Sequence, residues 1–421
     1  MTEALQQSVG GALPVPELSR VRSYWAVVLA AFWRSVAVRV SVGLIAVLVV
    51  TTIAAPFIAN GQPFTILRRQ PDGAWVRHWP LFRTLTNVDL AVLVFAAGAV
   101  AYAWLHWRAG RRGLPMEDVR LRRFVGLLLV LAAATAGSVL LFVLHRPVIA
   151  MNDYRDYQQL EAAGQARDAV FPVIPWRYGD QEPLELDRTN QLPSRQHWLG
   201  TDQIGRDVLS RLIWSTRVVM GIGFVSQGIA LFIGVVIGAL IGYASGTVDL
   251  LGMRLVEIFE SIPTFFLILI FIAVYGRDIF MIMVILGLVG WTGIARFVRA
   301  EFLRLRQTDF VQAAIASGLP LRRVLFRHML PNGLTPVIVT VTFGIAGAIM
   351  AESGLSFLGV GVEPPTPSWG QMLNDAGNPA EAFRWWLAMP PGIMIFLTVF
   401  AYNIIGEGLR DAIDPRLNKL E

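Results

Sequence analysis

Cysteine is absent from the 421 residues, which excludes disulfides and thiolate metal sites. Lysine is nearly absent: Lys419 is the only one, with no glycine-rich loop before it. A phosphate-binding loop needs its lysine directly after the glycines. The chain is therefore no P-loop ATPase, and any ATP must be hydrolysed by a partner. The five histidines (His78, His106, His145, His197, His328) are scattered, with no pair at metal-ligand spacing. Charge is also scarce, at 16% of residues against about a quarter in soluble domains. The net charge of +6 fits arginine-rich loops obeying the positive-inside rule, not nucleic-acid binding.

What remains is apolar. Hydrophobic residues make up 55% of the chain and the mean hydropathy is +0.55. They fall in blocks of about 18–25 residues, the length a helix needs to cross roughly 30 Å of hydrocarbon. The blocks are Val38–Ile58, Val88–Leu105, Phe124–Leu144, Val218–Ala244, Ile258–Val274, Ile279–Ala295, Leu334–Ala351 and Pro391–Gly406. Backbone groups in lipid must be satisfied within the segment, so these spans are helices. The expectation is an all-α polytopic membrane protein of about eight transmembrane helices with extracytoplasmic loops. No cleavable signal peptide is evident, and the first block suits a signal anchor.

Arginine placement orients the spans. Arg108, Arg111, Arg112, Arg120, Arg122 and Arg123 cluster after the second block; Arg299, Arg304, Arg306, Arg322, Arg323 and Arg327 follow the sixth. Both loops, and with them both termini, are expected in the cytoplasm. Arg68, Arg69, Arg77 and Arg83 run against this rule, because 59–87 would then lie outside. Those arginines could contact a partner or lipid headgroups. The large loop 145–217 carries Phe171, Trp176, Tyr178 and Trp198, enough apolar surface for an ordered extracytoplasmic layer. The later loop, about Glu352–Pro390, is expected to fold against the same side. Gly234, Gly238 and Gly242 line one face of the fourth span and permit close helix packing.

One cytoplasmic segment reads as a helical hairpin. Thr308 can cap a short helix, and Asp309 favours its first turn. Phe310, Ala313, Ala314 and Ser317 share a face, Gly318 ends the helix, and Pro320 can start a second one. By spacing alone this is a partner-binding hairpin. Its residues Asp309 to Gly318, continuing to Leu330 and Pro331, resemble the Glu-Ala-Ala loop of ABC importer permeases. The resemblance implies a coupling helix seated in a cleft of an ATPase subunit, with Asp309, Phe310, Gln312, Ala313, Ala314, Ser317, Gly318, Leu330 and Pro331 as coupling residues. Gln312 departs from the pattern, which has Glu there.

Three further stretches resemble the C-type permease subunit of dipeptide and oligopeptide importers. They are His197 to Arg211 before the fourth span, Glu352 to Gly370 after the seventh, and the tail Leu409 to Arg416. The stretch Pro193-Ser194-Arg195-Gln196 is similar to the branch importing longer and modified peptides. The family has a core of about six spans, so the pair near 88–144 reads as an insertion. The division is then a leader 1–37, first span and extra pair 38–144, extracytoplasmic region 145–217, core 218–408 with coupling loop 299–333, and tail 409–421.

The resemblance implies a B-type permease, two ABC ATPases, an extracytoplasmic binding protein and a peptide substrate as partners. ATP and Mg would sit on the ATPases, with no cofactor and no catalytic site in this chain. Relatives also carry nickel chelates, opines and sugars. An ion-coupled secondary transporter is the rival class, and it needs ionisable groups deep in the bilayer. From Val218 onward the span centres have none; Arg296, Glu352 and Glu407 stand near ends.

Overall fold

A computed structural model describes residues 24–110, 126, 129–130, 132–141, 143, 153–181, 189–377 and 383–413. Helices dominate, and caps written into the sequence start several of them. After α1 (Tyr24–Phe32), the Ser35 hydroxyl accepts from Val38 N at the start of α2 (Val36–Ile58). Asp207 accepts from Ser210 N and opens α7 (Val208–Ala244); Asp278 accepts from Phe280 N and opens α10 (Ile279–Arg306). Each carboxylate satisfies a backbone donor that the first helical turn leaves unpaired.

Six helices are long and apolar enough to cross a membrane among the described residues: α2, α4 (Asn87–Gly110), α7, α10, the run Leu321–Phe357 and α15 (Trp385–Ile413). The expected third span, Phe124–Leu144, is described in part, as α5 (Ala132–Leu141). The leader 1–23, the arginines from Arg111 to Arg123 and the tail from Asp414 lie outside the described residues.

The fifth span is not the continuous helix expected over Ile258–Val274. It is two helices, α8 (Gly246–Ser261) and α9 (Thr264–Tyr275), bent by 79°. Ile262-Pro263 makes the break, since a proline has no N–H to give the ladder and its ring excludes helical backbone before it. Gly276, at φ +89°, then ends α9.

The bundle is built on α7 against α10. A Cβ on Gly234 would sit 2.7 Å from Ile294 Cβ; on Gly238, 2.4 Å from the Ala295 carbonyl; on Gly242, 2.6 Å from the Arg299 carbonyl. The small-residue stripe is therefore a helix crossing, as its spacing suggested. α13 (Leu330–Phe357) and α15 pack alongside, with Val219, Ile349, Trp369 and Tyr402 in the shared core.

The surprise is a small sheet. β1 (Thr65–Arg69) pairs antiparallel with β2 (Trp75–His78) and with β3 (Ala166–Val170), in the order β2-β1-β3. The short helices α3 (Pro80–Thr84) and α6 (Tyr154–Ala162) complete a cap. Asp153 and Asp156 form a reciprocal capping box at the start of α6. Tyr157 donates to Gln62 Oε1 at 2.7 Å, and the Arg68 guanidinium lies 5.5 Å over the Tyr157 ring. The sheet sets 59–87 and 153–178 on one end of the molecule, and two of its arginines have partners there. Arg68 has Tyr157, and Arg167 lies 4.4 Å over Trp75.

Candidate coupling site

The end opposite the cap is where the hairpin lies. α10 finishes at Arg306, whose guanidinium donates to the Tyr243 carbonyl at 2.8 Å and to Ser245 Oγ at the turn after α7. Gln307 and Thr308 reverse the chain into α11 (Asp309–Ala316). Thr308 stands at the cap position, but its hydroxyl donates back to the Leu305 carbonyl at 2.5 Å and takes nothing from α11. The expected side-chain cap is absent: the hydroxyl is turned back to that carbonyl and accepts nothing from the first turn of α11.

α11 is two-faced, although the division differs from the one its spacing suggested. Val311 and Ala314 are buried among Phe302, Leu305, Val324 and Met329. Ala314 thus leaves the face assigned to it and anchors the helix. Phe310, Ala313 and Ser317 remain exposed together, with Asp309 and Gln312. Gln312 Nε2 donates to the Arg306 carbonyl at 2.7 Å, satisfying an end group of α10. A glutamate could not make that bond. Gly318, at φ +71°, closes α11: its N–H bonds Ile315 O, and Leu319 N bonds Ala314 O. A left-handed residue with this bond pair is the usual glycine helix stop.

The second arm is not a separate helix. Pro320 precedes α12 (Leu321–Arg323), which passes through a π-helical turn (Val324–Met329) directly into α13. Leu330 is half-buried against the α11 cluster, and Pro331 is exposed at the first turn of α13. Phe310, Leu321 and Phe326 are exposed around the hairpin, bordered by Arg322, Arg323 and Arg327. Chemically this is a short helix held from behind by apolar contacts, presenting small and aromatic side chains with a basic rim.

The cap end is held differently. In the His197 to Arg211 stretch, Gly200 and Gly205 adopt φ +73° and +80°, folding the segment into a knot above α7. Asp202 is the centre. Its Oδ1 accepts from Ile204 N and Arg206 N, and its Oδ2 from Arg206 Nε at 2.7 Å and from Arg211 Nη1. Asp375, from α14 (Trp369–Ala376), takes Arg211 Nη1 at 2.9 Å and Arg206 Nη2 at 3.4 Å. Burial, then the neighbouring Arg211 charge, hold the Arg206 guanidinium below its ordinary pKa, against the pull of the two carboxylates. Asp207 takes His197 Nδ1 at 2.8 Å, and Trp176 stacks on that imidazole at 4.8 Å.

Asp375 was not singled out from the sequence. The sequence offered no signal for it, since the stretch itself balances Asp202 and Asp207 against Arg206 and Arg211, and the commitment of Asp207 to His197 shows only in the fold. Glu352 is buried near the end of α13, accepting from Ser356 Oγ at 2.7 Å and from Ser353.

Residues 234–419 match the family described as binding-protein-dependent transport system inner membrane component. Over 247 residues the chain is 38% identical to the oligopeptide transport system permease protein OppC of Haemophilus influenzae, covering 58% of this chain and 79% of that one. It is 36% identical over 234 residues to the dipeptide transport system permease protein DppC of Bacillus subtilis, covering 56% and 73% respectively. For OppC of the same organism the values are 36% over 251 residues, 60% and 82%. With identity at that level over most of each relative, this chain belongs to the binding-protein-dependent permeases, the inner membrane components of ABC importers, on the branch of the C-type oligopeptide and dipeptide permease proteins.

Proposed function

We propose that this chain is the C-type permease subunit of a peptide importer and that the hairpin end is its cytoplasmic, ATPase-docking end. The observation that carries the reading is α11, gripped from behind by Val311 and Ala314 and open in front at Phe310, Ala313 and Ser317. The peptide cargo is supported by the similarity to permease proteins named for oligopeptide and dipeptide transport. Nickel chelates, opines and sugars are not favoured.

The chain itself hydrolyses nothing. ATP and Mg are held by two ABC ATPases, one of them seating α11, while a B-type permease completes the path. An extracytoplasmic binding protein delivers the peptide to the cap end, and both termini are cytoplasmic. ATPase closure pulls on α11 and biases the spans between two states, as coupling requires. The continuous run from α12 into α13 gives that pull a direct mechanical route into a span.

The decisive test of cargo is an auxotroph fed its amino acid only within a peptide. Deletion of this subunit is expected to stop growth on the peptide and leave growth on the free amino acid. Unimpaired growth, with nickel or sugar uptake lost instead, overturns the cargo. For coupling, Ala313→Arg places a long cation on the exposed face of α11 and is expected to abolish substrate-stimulated ATP hydrolysis in reconstituted complexes. Normal stimulation would show that α11 docks elsewhere.

A further inference from the structure

The cap contains a cleft of about 740 Å³ bounded by α6, the stretch 173–176 and the loop 191–198. That volume is within the range of roughly 300–1,000 Å³ typical of small-ligand sites. Its wall carries Arg155, Gln158 and Gln159 from α6, and Arg195, Gln196 and Trp198 from the loop. The charge balance is one-sided. Among the described residues, Asp207 is the only carboxylate lining the cleft, and it is spent: Oδ2 holds His197 Nδ1 at 2.8 Å and Oδ1 accepts from Ser210 N at 2.6 Å. Arg195 is exposed and forms no ion pair among the described residues. Arg155 lies 5.7 Å over the Trp176 ring, which also packs against His197 and Tyr154, so its guanidinium is held against the wall.

Guanidinium groups pair with carboxylates through parallel N–H bonds, and primary amides both donate and accept, as a peptide backbone requires. We propose that this cleft binds the carboxylate end of a short extended peptide, with Arg195 as the principal carboxylate contact and the glutamine amides on the backbone. It is a transfer site on the permease itself, ahead of the membrane path. The inference rests on the peptide reading above and deepens it.

The test uses the complete importer in nanodiscs without the binding protein, so that any discrimination belongs to the membrane complex. The probe is tetra-alanine labelled at its N-terminus with a fluorophore, as the free acid and as the C-terminal amide. Wild type is expected to bind the acid about ten-fold tighter than the amide. Arg195→Gln should bring that ratio to about one, and Arg195→Lys should restore part of it. Equal binding of acid and amide by wild type, or an unchanged ratio in Arg195→Gln, overturns the proposal. Uptake of the same peptide into proteoliposomes, with the binding protein added, separates the two readings. Acid-selective binding without uptake sinks the cargo reading and keeps the cleft; uptake without acid selectivity does the reverse.

Discussion

The two ends of the molecule are joined by opposite physics. At the cap end, Asp202, Arg206 and Arg211 are buried and cross-linked to Asp375, some of these contacts spanning more than 160 residues of sequence. At the hairpin end the ionic contacts are shallow: Glu301 with Arg304, Arg296 with Glu260 and Arg299 with Asp249 all leave their arginines partly exposed. There α11 is held by apolar side chains and one neutral hydrogen bond, from Gln312 to the Arg306 carbonyl, with no buried ion pair among the described residues. Buried ion pairs demand one geometry, whereas apolar surfaces can slide past one another at smaller cost. Under the function proposed above, the hairpin end moves with a partner while the cap end keeps its shape, and this division of chemistry suits that role.

Removing the centre of the buried network breaks this contrast most severely. Asp202→Ala leaves Arg206 and Arg211 desolvated with a single shared carboxylate, and the expected cost is about 3–5 kcal/mol. Thermal unfolding of the purified complex should show it, while Ala313→Arg at the other end shifts stability by less than about 0.5 kcal/mol. A comparable loss in both variants would mean that the hairpin end is as rigid as the cap end.

The helix crossing between the two ends comes next. Gly238→Val drives a side chain into the Ala295 carbonyl, 2.4 Å from the position of the new Cβ, and should cost on the order of 1–3 kcal/mol. Gly293→Ala, on the same pair of helices, meets nothing within 4 Å and should be neutral or slightly stabilising. Equal effects in unfolding assays would contradict the packing described for α7 and α10.

These contrasts bear on what a single sequence can disclose. The spans were legible because lipid imposes length and apolarity on each, and the α7 stripe because a crossing needs small residues at fixed spacing. The break at Ile262-Pro263 was legible in principle, since proline inside an apolar run is a plain warning. The sheet was not. β1, β2 and β3 are five residues or fewer, β1 ends in two arginines, and β3 lies about 100 residues from its partner. The hairpin was visible as a pattern, yet which side of α11 faces inward is decided by Phe302, Met329 and other residues outside it. Asp375 escaped for the same reason: its meaning lies in a distant pair of arginines.

The cap carries its own pH dependence. Burial pushes the Asp180 carboxyl up from 3.8 to about 6, despite the bond it accepts from Arg177 N at 2.7 Å. The Arg177 charge also opposes the rise, and Asp153 adds to it. Asp180 packs against Gly61, so it joins the turn at 177–180 to the start of the cap. A carboxyl whose folded pKa is raised binds more protons folded than unfolded between the two values. The contribution of Asp180 to cap stability is therefore greatest below about pH 4, falls as pH rises towards about 6, and is level above that. Because Asp180 is half-buried, the change is on the order of 1–2 kcal/mol. The difference in hydrogen-exchange protection across 59–64 and 174–180 between wild type and Asp180→Asn should follow this curve between about pH 4 and 6.

Gln312→Glu is the smallest expected effect and the sharpest question about the hairpin. The amide donates to the carbonyl of Arg306, the last residue of α10, and so ties α11 to the helix before it. A carboxylate there loses the donor and sets negative charge beside the negative end of α10, which costs about 0.5–1.5 kcal/mol. The same carboxylate stands in the first turn of α11, where negative charge recovers about 0.3–1 kcal/mol. The net destabilisation should be about 0.5 kcal/mol, scarcely visible in unfolding. The exposed face of Phe310, Ala313 and Ser317 is untouched, so substrate-stimulated ATP hydrolysis should persist at near wild-type level. Strong loss of stimulation with normal stability would show that the amide bond to Arg306 sets the angle at which α11 meets the ATPase. Increased stimulation would show that a carboxylate makes a productive contact on the partner, and that glutamine serves this chain by holding its own backbone instead.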